Sequence, residues 1–476
     1  MKTPVRSPHP GRPSLVLLSL LLCLLATGCI PAAASTRTNI VFMLIDDMGW
    51  ADGGCFGSRF YQTPRMDRLA AEGMRFTHAY AACAVCSPTR AALMTGKYPA
   101  RLHITDWIPG ENAPKNSRFR LPEWQQHLPL EERTLADRLH ALGYVTAHFG
   151  KWHLGGPAYY PEHHGFDVNV AGSDTGQPGS YFWPYGAPTD RHRVPGLAEQ
   201  GGHKGEYLTD RLTDDAIRFI ETNRDKPFYL NFAHYAVHSP LEAKRELMDL
   251  AGERPGADGQ SNIVYAAMLK SVDESLGRIL DKLEELHLAD HTIVVFTSDN
   301  GGAVHFGKPP ATHNGELRLG KGYAYEGGLR VPLLVRVPGV TRAGAVCHTP
   351  VISLDFVPTL LDLAGAPPPP DADGLDGLSL APLLRGDATL PRHELFWHYP
   401  HYWDGGIVSP YSVARIDDWK LIRFYETGRE ELYHLADDPS ESRDQAAANP
   451  EKRKALAARL DAWLAGVGAQ MPVPRR

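Results

Sequence analysis

Cysteine is scarce in this chain. Six stand among 476 residues, and with Cys23 and Cys29 in the first thirty positions only Cys55, Cys83, Cys86 and Cys347 remain. Four scattered thiols are no disulfide framework for so long a chain, and no CxxC…CxxC arrangement offers a zinc site. One bridge, Cys55 to Cys83, stays open. Positive charge is in short supply too. The chain has 49 Lys and Arg against 55 Asp and Glu, a net charge of −6, and no basic stripe, which argues against a nucleic-acid partner. There is no internal repeat, and the many Gly and Pro are scattered, so repeat and low-complexity architectures are excluded.

Long apolar runs are missing except one, "LVLLSLLLCLLA" at Leu15–Ala26, which is too short for a bilayer span and follows Lys2, Arg6 and Arg12. Residues 1–34 read as a signal peptide. "ATGC" ending at Cys29 resembles a bacterial lipoprotein box, and "AAAS" offers cleavage after Ala34. Either way the expectation is export, to the periplasm or as an outer-membrane or cell-surface lipoprotein. A lipid on Cys29 is then the sole expected membrane contact.

What is present is an α/β pattern of short apolar runs alternating with amphipathic stretches. "NIVFMLIDD" ends on Asp46 and Asp47, and "TIVVFTSDNGG" on Asp299 and Asn300. "YVTAHFGKWHLG" runs into Lys151 and His153, and "PFYLNFAHYAVHSP" into His234 and His238. Unbroken apolar runs predict a mostly parallel sheet with helices on both faces, and ligands bind beyond the carboxyl ends of such strands. A single Asp or His there is commonly a cap or a structural group. Four segments delivering charge to one rim are harder to explain that way.

Asp46, Asp47, Asp299 and Asn300 are hard oxygen donors suited to Ca²⁺ or Mg²⁺. Without a cation the carboxylates would repel and one would hold its proton. Adjacent aspartates point apart on a strand, so both reach one ion only if the chain turns after Asp46. In "CAVCSPTRAALMTG", Pro88 predicts a helix capped by Ser87 and closed by Gly96, with Cys86 at its N-terminus and Arg90 one turn in. An anion site, a nucleophile and a hard cation suggest attack on a charged ester. From this segment alone, a buried thiol beside a surface arginine explains it equally well.

These motifs resemble the type I sulfatases, arylsulfatase-like members of the alkaline-phosphatase-like superfamily. The likeness covers Cys86-x-Pro88-x-Arg90, "GKWHLG", "HHGFD", "HYAVHSP", "VFTSDNGG" and "GKGYAYEGGLRVP" in the family's order, from about Asn39 to Asp444. The resemblance implies a sulfuric-ester hydrolase acting on a sulfated carbohydrate or aryl sulfate. It implies that a formylglycine-generating or sulfatase-maturating enzyme oxidises Cys86 to Cα-formylglycine, whose hydrate attacks sulfur. The implied metal ligands are Asp46, Asp47, Cys86, Asp299 and Asn300, around Ca²⁺ ahead of Mg²⁺. Arg90 and Lys151 would stabilise the hydrate, and His153 would be the base that starts sulfate elimination. His238 and Lys321, with Lys151, would hold the sulfate and leaving oxygen. Two alternatives are a phosphonate monoester hydrolase or phosphodiesterase of the same superfamily, and a non-catalytic glycan-binding lipoprotein that keeps Cys86 as a thiol.

The Pro-rich stretch at 364–377 separates a catalytic domain, 35–370, from a C-terminal subdomain, 371–476, expected to hold a short antiparallel sheet and a closing helix over 449–466. "FWHYPHYWDGG" at 396–406 reads as packing between the two. It also offers a sugar-stacking wall through Trp403, with His103, Asp106 and Trp107 opposite.

Overall fold

The computed structural model describes residues 1–4 and 37–475, apart from 369, 371, 372 and 388, so the signal segment with Cys29 lies outside the described residues. The first apolar run becomes β1 (Asn39–Ile45), buried throughout. Its Ile40, Phe42 and Leu44 enter one core and its Val41, Met43 and Ile45 another. Alternate side chains of a strand face opposite ways, so an unbroken apolar run requires cover on both sides. After β1 come β2 (Met74–Tyr80), β3 (Phe119–Arg120), β4 (Val145–Gly150), β5 (Val168–Val170), β6 (Phe228–Ala233), β7 (Thr292–Ser298), β8 (Arg330–Arg336), β9 (Ala345–Cys347) and β10 (Val351–Ile352). All but β3 join a nine-stranded sheet in the order β10-β2-β8-β7-β1-β6-β4-β5, with β9 also on β2. Every pairing is parallel except those of β8 with β2 and β7.

Helices Pro64–Glu72, Leu208–Thr222 and Ile263–Glu285 cover one face. Helices Cys86–Thr95, Leu135–Ala141 and Phe356–Leu363 cover the other. Among the described residues no helix is long and apolar enough to cross a membrane.

A second sheet is antiparallel, β11 (Glu394–Tyr399), β12 (Tyr411–Ile416), β13 (Trp419–Phe424) and β14 (Arg429–His434), followed by the helix Pro450–Gly466. Alternation again sorts its side chains. Phe396, Ala414, Leu421 and Leu432 bury against Leu456, Leu460 and Leu464 of the helix. Trp397, Tyr399, Tyr411 and Val413 pack on Tyr80, Val85 and Tyr325, which precede Cys86 and follow Lys321 in the chain. The aromatic run at 396–406 is therefore mainly packing, with Trp397 Nε1 donating to the Ala81 carbonyl at 2.8 Å.

One question left open by the sequence is answered, and one expectation needs correction. Cys55 and Cys83 are free thiols, since Cys55 packs on the first core and Cys83 belongs to the one under the second sheet. The helix expected to be capped by Ser87 begins at Cys86, with Val85 as its N-cap.

The second sheet is fastened by a buried charge group. Lys420 Nζ lies 3.0 Å from Glu326 and 2.8 Å from Glu441, and none of the three is more than 1% exposed. Lys420→Met strands two buried carboxylates, which should destabilise the fold by about 3–5 kcal/mol. A urea midpoint unchanged from wild type would contradict this.

Candidate active site

Asp46 and Asp47 leave β1 in succession, and Asp47 takes a left-handed φ of 60°. That turn cancels the alternation of the strand and lets both carboxyls face the same space. Asp47 N donates to Asp299 Oδ1 at 3.2 Å, and Asn300 Nδ2 donates to Asp47 Oδ1 at 2.8 Å, so the ends of β1 and β7 are tied together. Atoms of Asp46, Asp47 and His238 come within 4.8 Å of one another.

Each carboxylate has its own cation. Lys151 Nζ donates to Asp46 at 2.7 Å. Lys321 Nζ donates to Asp47 at 2.8 Å. Arg90 Nε donates to Asp299 at 2.9 Å, while its Nη1 donates to the Lys151 carbonyl at 2.7 Å. All six side chains are buried. Burial pushes Asp46 up to about 8, only partly opposed by Lys151 and added to by Asp299. Burial is the largest effect on Asp47 and Asp299 as well, but Lys321, His238 and Lys151 together hold Asp47 low, and Arg90, Lys151 and Lys321 together hold Asp299 low. Two oxygens of the group, Asp46 Oδ1 and Asn300 Oδ1, are buried and accept no hydrogen bond. A hard divalent cation would satisfy both, so the donor set fits one.

Cys86 opens its helix at 3% exposure. Burial raises its thiol, against the pull of Lys151 and Lys321. Arg90, four residues on, shares its helix face. The Ser87 hydroxyl leaves the cap because tertiary partners claim it: it donates to the His153 carbonyl at 2.9 Å and accepts from Ile108 N at 3.1 Å. His153 Nε2 lies 2.5 Å from the Ile108 carbonyl. A carbonyl only accepts, so the proton is on Nε2 and the buried, unpartnered Nδ1 carries the free lone pair. Burial, then Lys151, holds this ring well below the ordinary histidine value, hence neutral. Gly176 passes over it so closely that a Cβ there would sit 2.6 Å from the ring.

Against known proteins, the family model "Sulfatase" matches residues 38–366, and that for the C-terminal region of N-sulphoglucosamine sulphohydrolase matches 315–469. The chain belongs to the sulfatase family.

This sulfatase, a sulfuric-ester hydrolase, is 34% identical to human N-acetylgalactosamine-6-sulfatase over 89% of the chain and 84% of that protein. It is 36% identical to human arylsulfatase A over 81% and 74% respectively. Among solved structures it is similar to Ps i-CgsB in complex with k-i-k-neocarrahexaose, with a TM-score of 0.75, 28% identity, and coverage of 90% of this chain and 93% of that one.

Of the residues singled out in the sequence, the sulfatase gathers Asp46, Asp47, Cys86, Arg90, Lys151, His153, His238, Asp299, Asn300 and Lys321 at one end of its sheet. His103 is not among them. Its Nε2 pairs with the Gly468 carbonyl at 3.0 Å, so this ring serves the C-terminal segment rather than a sugar wall. Trp403 is nearby but 5% exposed. It lies on Gly322, where a Cβ would meet its ring at 2.2 Å, and so backs the Lys321 loop instead of offering an open face. His234 is a structural histidine beside Ser275 at 3.3 Å.

Asp52 carried no signal beyond sharing the loop of Asp46 and Asp47. Its carboxyl accepts from Gly49 N at 2.7 Å, Tyr265 at 2.5 Å and Thr312 at 2.5 Å, which clamps the turn behind the aspartates. Asn314 likewise braces the Lys321 loop through the Leu319 and Gly327 carbonyls.

Asp106 is fully buried, accepting from Tyr399 at 2.7 Å and Trp107 N at 2.9 Å, and burial pushes it up to about 8. The folded chain therefore holds a proton that the unfolded chain releases near 3.8, so this group's contribution to stability falls as pH rises between those values. Asp106→Asn should gain on wild type by about 1 kcal/mol per pH unit from about pH 6 to 8. Parallel denaturation curves across that range would contradict it.

Proposed function

We propose that this sulfatase removes sulfate from sulfated carbohydrates, with Cys86 oxidised to Cα-formylglycine and Ca²⁺, ahead of Mg²⁺, held by Asp46, Asp47, Asp299, Asn300 and residue 86. The carrying observation is the pair of buried, unpartnered oxygens, Asp46 Oδ1 and Asn300 Oδ1, among three carboxylates at the end of the sheet that also receives Cys86. The carbohydrate part is supported by relatives. One is named for N-acetylgalactosamine 6-sulfate, and a structure at 25% identity is a complex with its substrate D-glucosamine-2-N,6-O-disulfate. Export, a lipid on Cys29 and a maturating enzyme rest on the sequence alone.

A formylglycine hydrate supplies one hydroxyl to attack sulfur and a second whose deprotonation expels the sulfate, and the cation adds positive charge beside it. The chain's own groups supply the rest. Arg90 and Lys151 hold the side chain of residue 86. His153 offers Nδ1 as the base, its tautomer fixed by Ile108. Lys321 and His238 face the ester, where Lys321 opposes the negative charge gathering on the leaving oxygen.

Peptide mass spectrometry should show residue 86 about 18 Da lighter than cysteine; an intact thiol would reject the nucleophile. His153→Ala should lower kcat on p-nitrophenyl sulfate by about 10²–10⁴, and full activity would remove it as the base. Stripping divalent cations should lower Tm, with Ca²⁺ restoring it better than Mg²⁺; indifference to both would reject the metal assignment.

A further inference from the structure

Away from the catalytic cluster, a cavity of about 710 Å³ opens between the β2–β10 edge of the large sheet and the second sheet. Arg75, His78, Arg330, His348 and Arg415 line it. The volume is that of a site for a small organic molecule.

Its charge is not balanced from within. Arg330, Arg415 and Lys420, at 6%, 3% and 0% exposure, are three buried cations around two buried carboxylates, Glu326 and Glu441. Lys420 engages both of those acids, and Tyr80 donates to Glu326 at 2.6 Å. Arg330 Nε donates to the Thr77 carbonyl at 2.6 Å, but its nearest carboxylate contact is Glu326 at 3.9 Å. Its guanidinium stacks on Trp50 at 4.5 Å. Arg75 has no carboxylate partner among the described residues and rests 5.7 Å from the Phe56 ring. Burial, then the nearby Arg330 and Arg415, drives the neighbouring His78 down to about 3, so this ring is neutral.

The acids of the wall do not cancel the positive charge. Glu316, Asp417 and Asp418 are exposed, Asp418 reaching Arg415 only at 3.9 Å, and Glu394 is held by Arg459 at 2.6 Å. Arg392, also in the wall, is matched by Asp355 in a two-armed pair at 2.6 Å. Nδ1 of His78 and of His348 each lie 2.9 Å from the Thr77 hydroxyl, whose single proton goes to only one of the rings, and that ring keeps its own proton on Nε2 as a donor for another partner. A nearly buried guanidinium with no close counter-charge calls for one.

We propose that this cavity is a second oxyanion site, taking a sulfate group on Arg75, Arg330 and the Nε2–H of one of the two histidines. The group is either free sulfate, the product of the reaction, or a second sulfate on a longer glycan. The glycan source rests on the carbohydrate assignment above; the anion site does not.

Crystals of the mature enzyme soaked in millimolar selenate should show an anomalous peak between Arg75 and Arg330, lost in Arg75→Ala and in Arg75→Gln. No peak there, while selenate occupies the catalytic site of the same crystals, overturns the proposal. So does a peak indifferent to both substitutions. Arg75 makes no contact with the catalytic groups, so turnover of p-nitrophenyl sulfate should match wild type in both variants. If the source is the glycan, their KM for a multiply sulfated oligosaccharide rises about tenfold while that for a monosulfated sugar holds. If both KM values hold and the peak is lost, the ligand is free sulfate. Should no carbohydrate sulfate be cleaved by the wild type, the carbohydrate assignment fails while the selenate peak still stands.

Discussion

Three buried carboxylates matched by three buried cations organise this molecule. Asp46 with Lys151, Asp47 with Lys321, and Asp299 with Arg90 come from separate places along the chain, and each pair joins one strand end or loop to another. Charges removed from water are tolerated only when paired and hydrogen-bonded. The sheet must therefore bring β1, β4 and β7 into register at their carboxyl ends before these groups can be buried at all. Fold and site are one requirement seen from two sides, since the same pairs that a catalyst would draw on are those that make the end of the sheet physically admissible.

Local context then refines that group. The left-handed turn at Asp47 converts two residues that a strand would set apart into neighbours. Asp52, Tyr265 and Thr312 keep the turn closed from behind, where solvent cannot compete for the hydrogen bonds. Ser87 does a similar service between the Cys86 helix and the His153 loop. Its hydroxyl links two backbones that must stay in register for Nδ1 of His153 to face the site.

Much of this was legible in the sequence because it was written in runs. "NIVFMLIDD" declares both a strand covered on two faces and the charge at its end, and the same logic holds for the runs closing on Lys151, on His238 and on Asp299. The need for a turn after Asp46 followed from strand geometry alone. The residues that escaped are those whose partners are distant. Nothing near Ser87 reveals that Ile108 and His153 will claim its hydroxyl, so a helix cap was expected there. Nothing near His103 reveals Gly468. Trp403 reads as a stacking platform until Gly322 is seen beneath it. β11 was hidden by its own aromatic density, because the partners that make it a strand lie after it in the chain. The charge surplus around Arg330 was equally invisible, since it depends on how two sheets share Glu326.

The near-complete burial of Cys86 constrains the protein's life history. A side chain enclosed between a helix start, two lysines and the end of a sheet offers no room for another enzyme's cleft. On the proposed oxidation of Cys86, the oxidising enzyme would have to meet the segment while it is still extended chain, before β1 and β7 close alongside. Under that proposal competence would be settled once, during biogenesis: a molecule that folded first would stay in its unaltered form, with no later encounter able to reach the side chain.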